Sequence, residues 1–203
     1  MGIPTIWRFT GDVTSTAAGV TAIGATKVTS AMLGTNLATG YIPLDMTTGK
    51  IIVTNALQAT TEGMLPDTNT DPILLRINGA TDKAHRLDWA ATSVVEFDFA
   101  PFAYPVDLDD TAAVVVKLLI SKNTNTDTTA TVAVSYFEGI GDTNAGGNTA
   151  ALNATAITQY TVSVTAANVG VYPNVAKIGL IPSAHGTDAI RLHGAWIEYT
   201  RKS

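Results

Sequence analysis

Glu96 and Asp98 stand two residues apart in the stretch Val94–Phe99. Side chains of an extended strand alternate, so both carboxyls fall on one face, about 6.6 Å apart at Cα. That lies near the spacing with which two carboxyls flank a glycosidic bond and the water that attacks it. The plainer reading makes them the solvent face of a half-buried strand. Val95, Phe97 and Phe99 take the alternate positions and turn inward.

Other residues of the right types are scattered. His85, Asp88 and Ser93 could compose a nucleophilic triad, but no G-x-S-x-G elbow activates a serine. His185 and His193 show no helical or strand pairing with another ligand, and no HExxH occurs. Asp107, Asp109 and Asp110 could offer oxygens to calcium, yet the glycine and distant glutamate of an EF-hand loop are missing. A polar turn is the plainer reading there. The glycine-rich stretch Gly139–Gly147 carries no following Lys and does not link a strand to a helix, so it reads as a loop. No catalytic, cofactor-binding or metal-binding residue is expected.

Composition narrows the class. Of 203 residues, 46% are hydrophobic, enough for a core, but only 14% are charged. Roughly 25% is usual, so the chain suits a protein packed against neighbours. The net charge is -5 with no Lys/Arg run, which argues against nucleic acid. There is no cysteine, so disulfides, thiolate metal sites and thiol catalysis are excluded. No apolar run approaches the roughly 18 residues of a membrane span. The opening Met1–Arg8 lacks a signal-peptide layout, so folding where the chain is made is expected.

Strand patterns must position whatever site exists. Ile6–Phe9 and Ala25–Leu33 are the first candidates. Tyr41–Met46 and Lys50–Thr54 flank Thr47-Thr48-Gly49, which reads as a hairpin turn. Asn55–Leu65 is the one stretch that could hold a helical turn. Ile73–Ile77, Val94–Phe99, Ala113–Ile120, Thr131–Phe137, Gln159–Val164 and Val175–Ile181 follow as strands. Ala113–Ile120 reads as a central strand, with Thr131–Phe137 as its partner. The polar Ser121–Thr129 between them reads as an exposed loop that a Gly/Ser linker could replace. The expected fold is all-β: a jelly-roll-like antiparallel β-sandwich of about ten strands. It forms a single domain, 1–203, with an irregular N-terminal part to about residue 70 that extends or wraps neighbours.

Ile190–Thr200 reads as the closing strand, and its phase slips. Ile190 and Leu192 are apolar, then Ala195, Ile197 and Tyr199. A slip in a period-two pattern means an extra residue, and Gly194 marks the place for a bulge. With a bulge, both apolar sets share the core and Trp196 points outward beside Glu198. Without one, Trp196 continues the Ile190/Leu192 face into the core. Outward, it is a contact residue for a subunit or partner. The candidate interface residues are Trp196, Glu198 and Trp7.

Phe97-Asp-Phe-Ala-Pro-Phe-Ala-Tyr-Pro-Val-Asp-Leu-Asp109 feeds an apolar strand that ends at an Asn-Thr loop. Ile178-Gly-Leu-Ile-Pro-Ser-Ala-His-Gly-Thr-Asp188 then leads into Ile190–Thr200. This order resembles small all-β virion proteins of tailed bacteriophages, over roughly the C-terminal half. The resemblance implies a non-enzymatic jelly-roll capsid decoration, or cement, protein. It would sit on the virion capsid surface as a homo-oligomer, a trimer, bound to the major capsid protein. Neither nucleic acid, membrane nor cofactor is implied. Two rivals stand beside it: a carbohydrate-binding β-sandwich on a tail fibre or spike, and a glycan-active enzyme using Glu96 and Asp98.

Overall fold

Alternation decides which segments become strands, and a few buried polar pins decide how they connect. The computed structural model describes residues 39–53, 56–57, 71–78, 83–139 and 142–202, with the short segments 13–15 and 21–23. In chain order the strands are β1 (Val13–Ser15), β2 (Thr21–Ile23), β3 (Thr39–Pro43), β4 (Lys50–Val53) and β5 (Ala56–Leu57). Then come β6 (Ile73–Asn78), β7 (Lys83–Trp89), β8 (Glu96–Asp98), β9 (Phe102–Ala103) and β10 (Val114–Lys122). The last are β11 (Val132–Phe137), β12 (Gly147–Asn148), β13 (Thr158–Val164), β14 (Val175–Pro182) and β15 (Ile190–Thr200).

These strands form an all-β, jelly-roll-like sandwich of two antiparallel sheets. Sheet 1 runs β13-β10-β15-β7-β6, with β3 also on β15. Sheet 2 runs β12-β11-β14-β8-β4-β5, with β9 also on β14. β1 and β2 pair with each other. The inner faces meet in one core. Val116, Leu118, Leu192 and Ile197 from sheet 1 are buried, as are Phe97, Val132, Ile178 and Leu180 from sheet 2.

The bulge in β15 is present. Leu119 of β10 faces Gly194 while Ile120 faces Leu192, so His193 is the extra residue. Ile190 and Leu192 are buried together with Ala195, Ile197 and Tyr199. The bulge does not demand glycine, however. Gly194 lies outside the left-handed region, and an added Cβ would meet only Leu119 Cδ1 at 3.7 Å, an ordinary contact.

Several connections differ from expectation. Tyr41–Met46 and Lys50–Thr54 do not form a hairpin: β3 pairs with β15 in sheet 1 and β4 with β8 in sheet 2. Asp45 caps the turn between them. Its carboxylate accepts from Thr47 N at 2.8 Å and Thr47 Oγ1 at 2.7 Å, closing a 3-10 turn over Met46–Thr48. The sheets also begin well before residue 70, since β3 and β4 belong to them. Within Asn55–Leu65, Ala56–Leu57 is strand and not helix; the rest, with Ile6–Phe9 and Ala25–Leu33, lies outside the described residues. β7 was not expected at all, because its polar residues dominate the pattern.

β10 is central, but β11 is not its partner. β10 lies between β13 and β15, and β11 lies between β12 and β14 in the other sheet. The loop between them therefore crosses the sandwich, and it is pinned. Asp188 is fully buried and meets the buried Lys122 Nζ at 3.0 Å. It also accepts from Thr124 Oγ1 at 2.5 Å and from Thr126 and Asp127 backbone N–H groups, each at 3.0 Å. Burial pushes this carboxyl up. Hydrogen bonds from Thr124, Lys122, Asp127 and Thr126 outweigh that and hold it well below the usual carboxylate range.

Two outcomes follow. Gly194→Ala should leave the fold intact and raise stability by about 0.4–1 kcal/mol in urea denaturation, because it removes freedom only from the unfolded chain. A clear loss would mean that the bulge needs glycine. Asp188→Asn, or a Gly/Ser replacement of residues 123–128, should lower the melting temperature at pH 7. A depressed carboxyl stabilises above its unfolded pKa, about 3.9, and that stability is lost as pH falls through the folded value. The wild type should therefore lose stability below about pH 4 more steeply than Asp188→Asn.

Candidate functional site

Sheet 2 carries its most unusual residues on the face away from the core. Ser135 of β11, Gly179 of β14, Asp98 of β8 and Lys50 of β4 form one row across four strands. Beside it, Ile52 faces Glu96 and Phe137 faces Lys177. Gly179 is what lets the row close. A Cβ there would lie 2.4 Å from Asp98 Oδ1 and 2.5 Å from both Glu96 Oε1 and Ser135 Oγ. The three oxygens thus fold over bare backbone.

Glu96 and Asp98 share a face, as the spacing requires, but that face is not a solvated one. Asp98 is 4% exposed. Its Oδ2 meets Lys177 Nζ at 2.5 Å. Ser135 Oγ donates to Glu96 Oε1 at 3.3 Å. Burial raises the Glu96 carboxyl above the ordinary glutamate range. The Asp98 charge and a hydrogen bond with Asp98 raise it further, while Lys177 and Ser135 pull it back. The two carboxyls crowd one spot over Gly179. Their oxygens lie no more than about 5 Å apart over Gly179, short of an inverting pair's spacing.

Two adjoining depressions open on this face. One, about 620 Å³, is lined by Thr48, Lys50, Ile52, Glu96, Asp98 and Phe99, among others. The other, about 850 Å³, is lined by Glu138, Asp142, Asn174 and Val175, among others. Pro101, Phe137 and Lys177 line both. Together they make a groove with hydrogen-bond donors, acceptors and apolar surface.

Sheet 1 has a different outer face. Trp196 points away from the core beside Glu198, and its indole Nε1 donates to Glu198 Oε1 at 3.2 Å. Lys117 Nζ meets Glu198 Oε2 at 3.3 Å. Tyr41, 54% exposed, lies opposite Glu198, and Pro43 opposite Trp196. Trp7 lies outside the described residues.

The remaining candidates do not assemble. His85 and Asp88 sit three apart on β7 and so face opposite ways. Asp88 is held by Arg86 at 2.7 Å and Arg191 at 3.6 Å, while Ser93 is buried in the following turn. His185 is buried with its ring nitrogens on the Ser183 and Ala90 carbonyl oxygens. His193, at the bulge, meets Ser121 Oγ at 2.8 Å. Asp107 pairs with Arg201, Asp110 with Lys202, and Asp109 accepts from Thr111. Sequence reasoning passed over Lys177, Gly179 and Ser135. The available signal was one charge and one glycine inside the apolar run Val175–Pro182.

No protein-family model matches the chain, and no curated protein matches it. Among solved structures it is similar to a xylan-binding module, CBM15, with TM-score 0.50 and 12% identity, over 81% of this chain and 99% of that one. It is also similar to a xylanase 10C mutant from Cellvibrio japonicus in complex with xylopentaose. There the TM-score is 0.47 at 12% identity, over 78% of this chain and 28% of that one. A family 11 carbohydrate-binding module from Clostridium thermocellum gives 0.37 at 7% identity, over 82% and 92%. At such identities the likeness is one of fold: an antiparallel β-sandwich.

Proposed function

We propose that this chain is a non-catalytic recognition module that takes a carbohydrate chain along the groove of sheet 2. The observation that carries the reading is the groove's lining. Lys50, Lys177, Asn174 and Thr48 can donate, and the carboxylates can accept, beside the apolar surfaces of Phe137 and Pro101. A sugar presents hydroxyls that do both and C–H faces that pack on apolar rings. Concave sites with apolar walls and a few placed polar groups are where such ligands bind. The adjoining depressions suit an extended chain. Likeness in fold to a xylan-binding module supports the same class. The close Glu96–Asp98 spacing, short of an inverting pair's, supports binding over hydrolysis of that kind.

A virion role is the second reading, and Trp196 is the observation that favours it. An outward tryptophan beside Tyr41 and Pro43 fits a protein contact, where large aromatic side chains dominate affinity. In that reading the chain is a capsid decoration protein, trimeric and bridging capsomers. The two readings use opposite sheets, so a glycan on sheet 2 and a protein contact through Trp196 do not compete.

A glycan array followed by calorimetry tests this. Phe137→Ala should weaken the bound glycan about tenfold or more, near 1.4 kcal/mol, with the fold intact. Trp196→Ala should leave glycan affinity unchanged and yield a smaller species in sedimentation. If Trp196→Ala abolishes glycan binding while Phe137→Ala is silent, the site is on the wrong sheet. Retention of no glycan at all would sink the reading.

A further inference from the structure

Asp98 poses an accounting problem that a shared proton solves. Its Oδ2 has Lys177, but its Oδ1 is buried with no hydrogen-bond donor among the described residues. A buried acceptor left unpaired costs about 1–3 kcal/mol, more when charged. The group at hand is the Glu96 carboxyl, folded over Gly179 with it. It can donate to Asp98 only while protonated.

The surroundings hold the pair in place. Facing Glu96 are Asp98 on its own strand, Ile52 and Lys50 from β4, Lys177 and Gly179 from β14, and Ser135 from β11. Farther along, Glu138 and Asp142 line the second depression. Four acids therefore line the groove against two lysines. One of those lysines, Lys177, is already on Asp98.

We propose that Glu96 and Asp98 share one proton, and that the groove selects neutral glycans and releases them when that proton is lost. This rests on the groove reading above. With the proton in place, Glu96 stays folded against Asp98 and the groove is open. Without it, two carboxylates meet over Gly179, and Asp98 cannot leave because Lys177 holds it. Glu96 must then swing toward the space the ligand needs. An acidic sugar would bring a further like charge to the same wall. The direction of the Glu96 shift agrees: burial first, then the Asp98 charge, favour its neutral form. A raised carboxyl stabilises fully below its unfolded pKa, about 4.3, and that stability is lost as pH rises through the folded value.

The experiment has a ligand-free arm and a binding arm. Carboxyl carbon NMR on glutamate-labelled wild type should show Glu96 titrating above the other glutamates. The neutral oligosaccharide held best on the array should bind roughly three- to tenfold more weakly at about pH 8 than at about pH 5. Glu96→Gln, whose amide can donate to Asp98, should show no such pH dependence, whatever its affinity at about pH 5. Glu96 titrating with ordinary glutamates, affinity independent of pH, or tighter binding of a uronic-acid oligomer of equal length each overturn the inference and leave the groove reading standing. A raised Glu96 titration with no neutral glycan bound overturns both.

Discussion

The fold depends on one strand with two phases. β15 runs through the middle of sheet 1, with β10 along one side. On the other side β7 pairs with Ile190–Leu192 and β3 with Trp196–Thr200. Both ends must present apolar residues to the same core, yet Leu192 and Ala195 are three positions apart, an odd step. A regular strand would turn one set outward. The extra residue at His193 resolves this, so Ile190, Leu192, Ile197 and Tyr199 are all buried. It also fixes what the outer face carries, since Trp196 and Glu198 take the alternate positions. The contact candidates on that face are thus a consequence of how the core is filled.

Two buried carboxylates illustrate how context sets the state of the same chemical group. Asp188 receives an ammonium, a hydroxyl and two backbone N–H groups, and is held ionised. It fastens the crossing loop to the strand that enters β15. Asp98 receives one ammonium, and its other oxygen lies near the Glu96 carboxyl with no donor among the described residues. Its partner Glu96 is pushed toward the neutral form, because two adjacent anions in a poorly hydrated site are costly. The first arrangement is saturated with donors and belongs to the scaffold. The second is short of donors and borders a groove. Structural and functional charges are told apart here by counting hydrogen bonds.

Strand identity was legible where alternation was clean. The β8 segment and the phase slip of β15 could be read from period two, and β10 from its nearly continuous apolar run, but the slip left a bulge with Trp196 outward and a plain strand with Trp196 inward both open. Partnership was not legible. β10 and β11 adjoin in sequence and look like a hairpin, but the pin that sends them to opposite sheets is Asp188, more than sixty residues from the loop. The Tyr41–Thr54 region misled in the same way, because Asp45 capping its own turn leaves the hairpin signal unchanged. In the candidate site the carboxyl pair stood out, whereas Ser135, Lys177 and Gly179 did not. Each is ordinary within its own strand, and only the register of three strands brings them together.

The low charge content now has a physical reading. Among the described residues, most charged side chains are engaged in specific pairs: Arg86 and Arg191 on Asp88, Lys117 on Glu198, Lys122 on Asp188, Lys177 on Asp98, Arg201 on Asp107 and Lys202 on Asp110. Elsewhere the outward positions hold neutral polar residues, such as Gln159, Thr161 and Ser163 on β13. Outside the groove, where four acids face two lysines, such a surface is largely neutral. Recognition on it must come from shape, hydrogen bonds and apolar contact. In the proposed reading a neutral polymer is held by those properties, beside Gly179, which lets three polar side chains lie against the sheet. A Cβ at that one position would push the carboxyl pair outward. The groove's shape and its chemistry thus depend on the same missing atom.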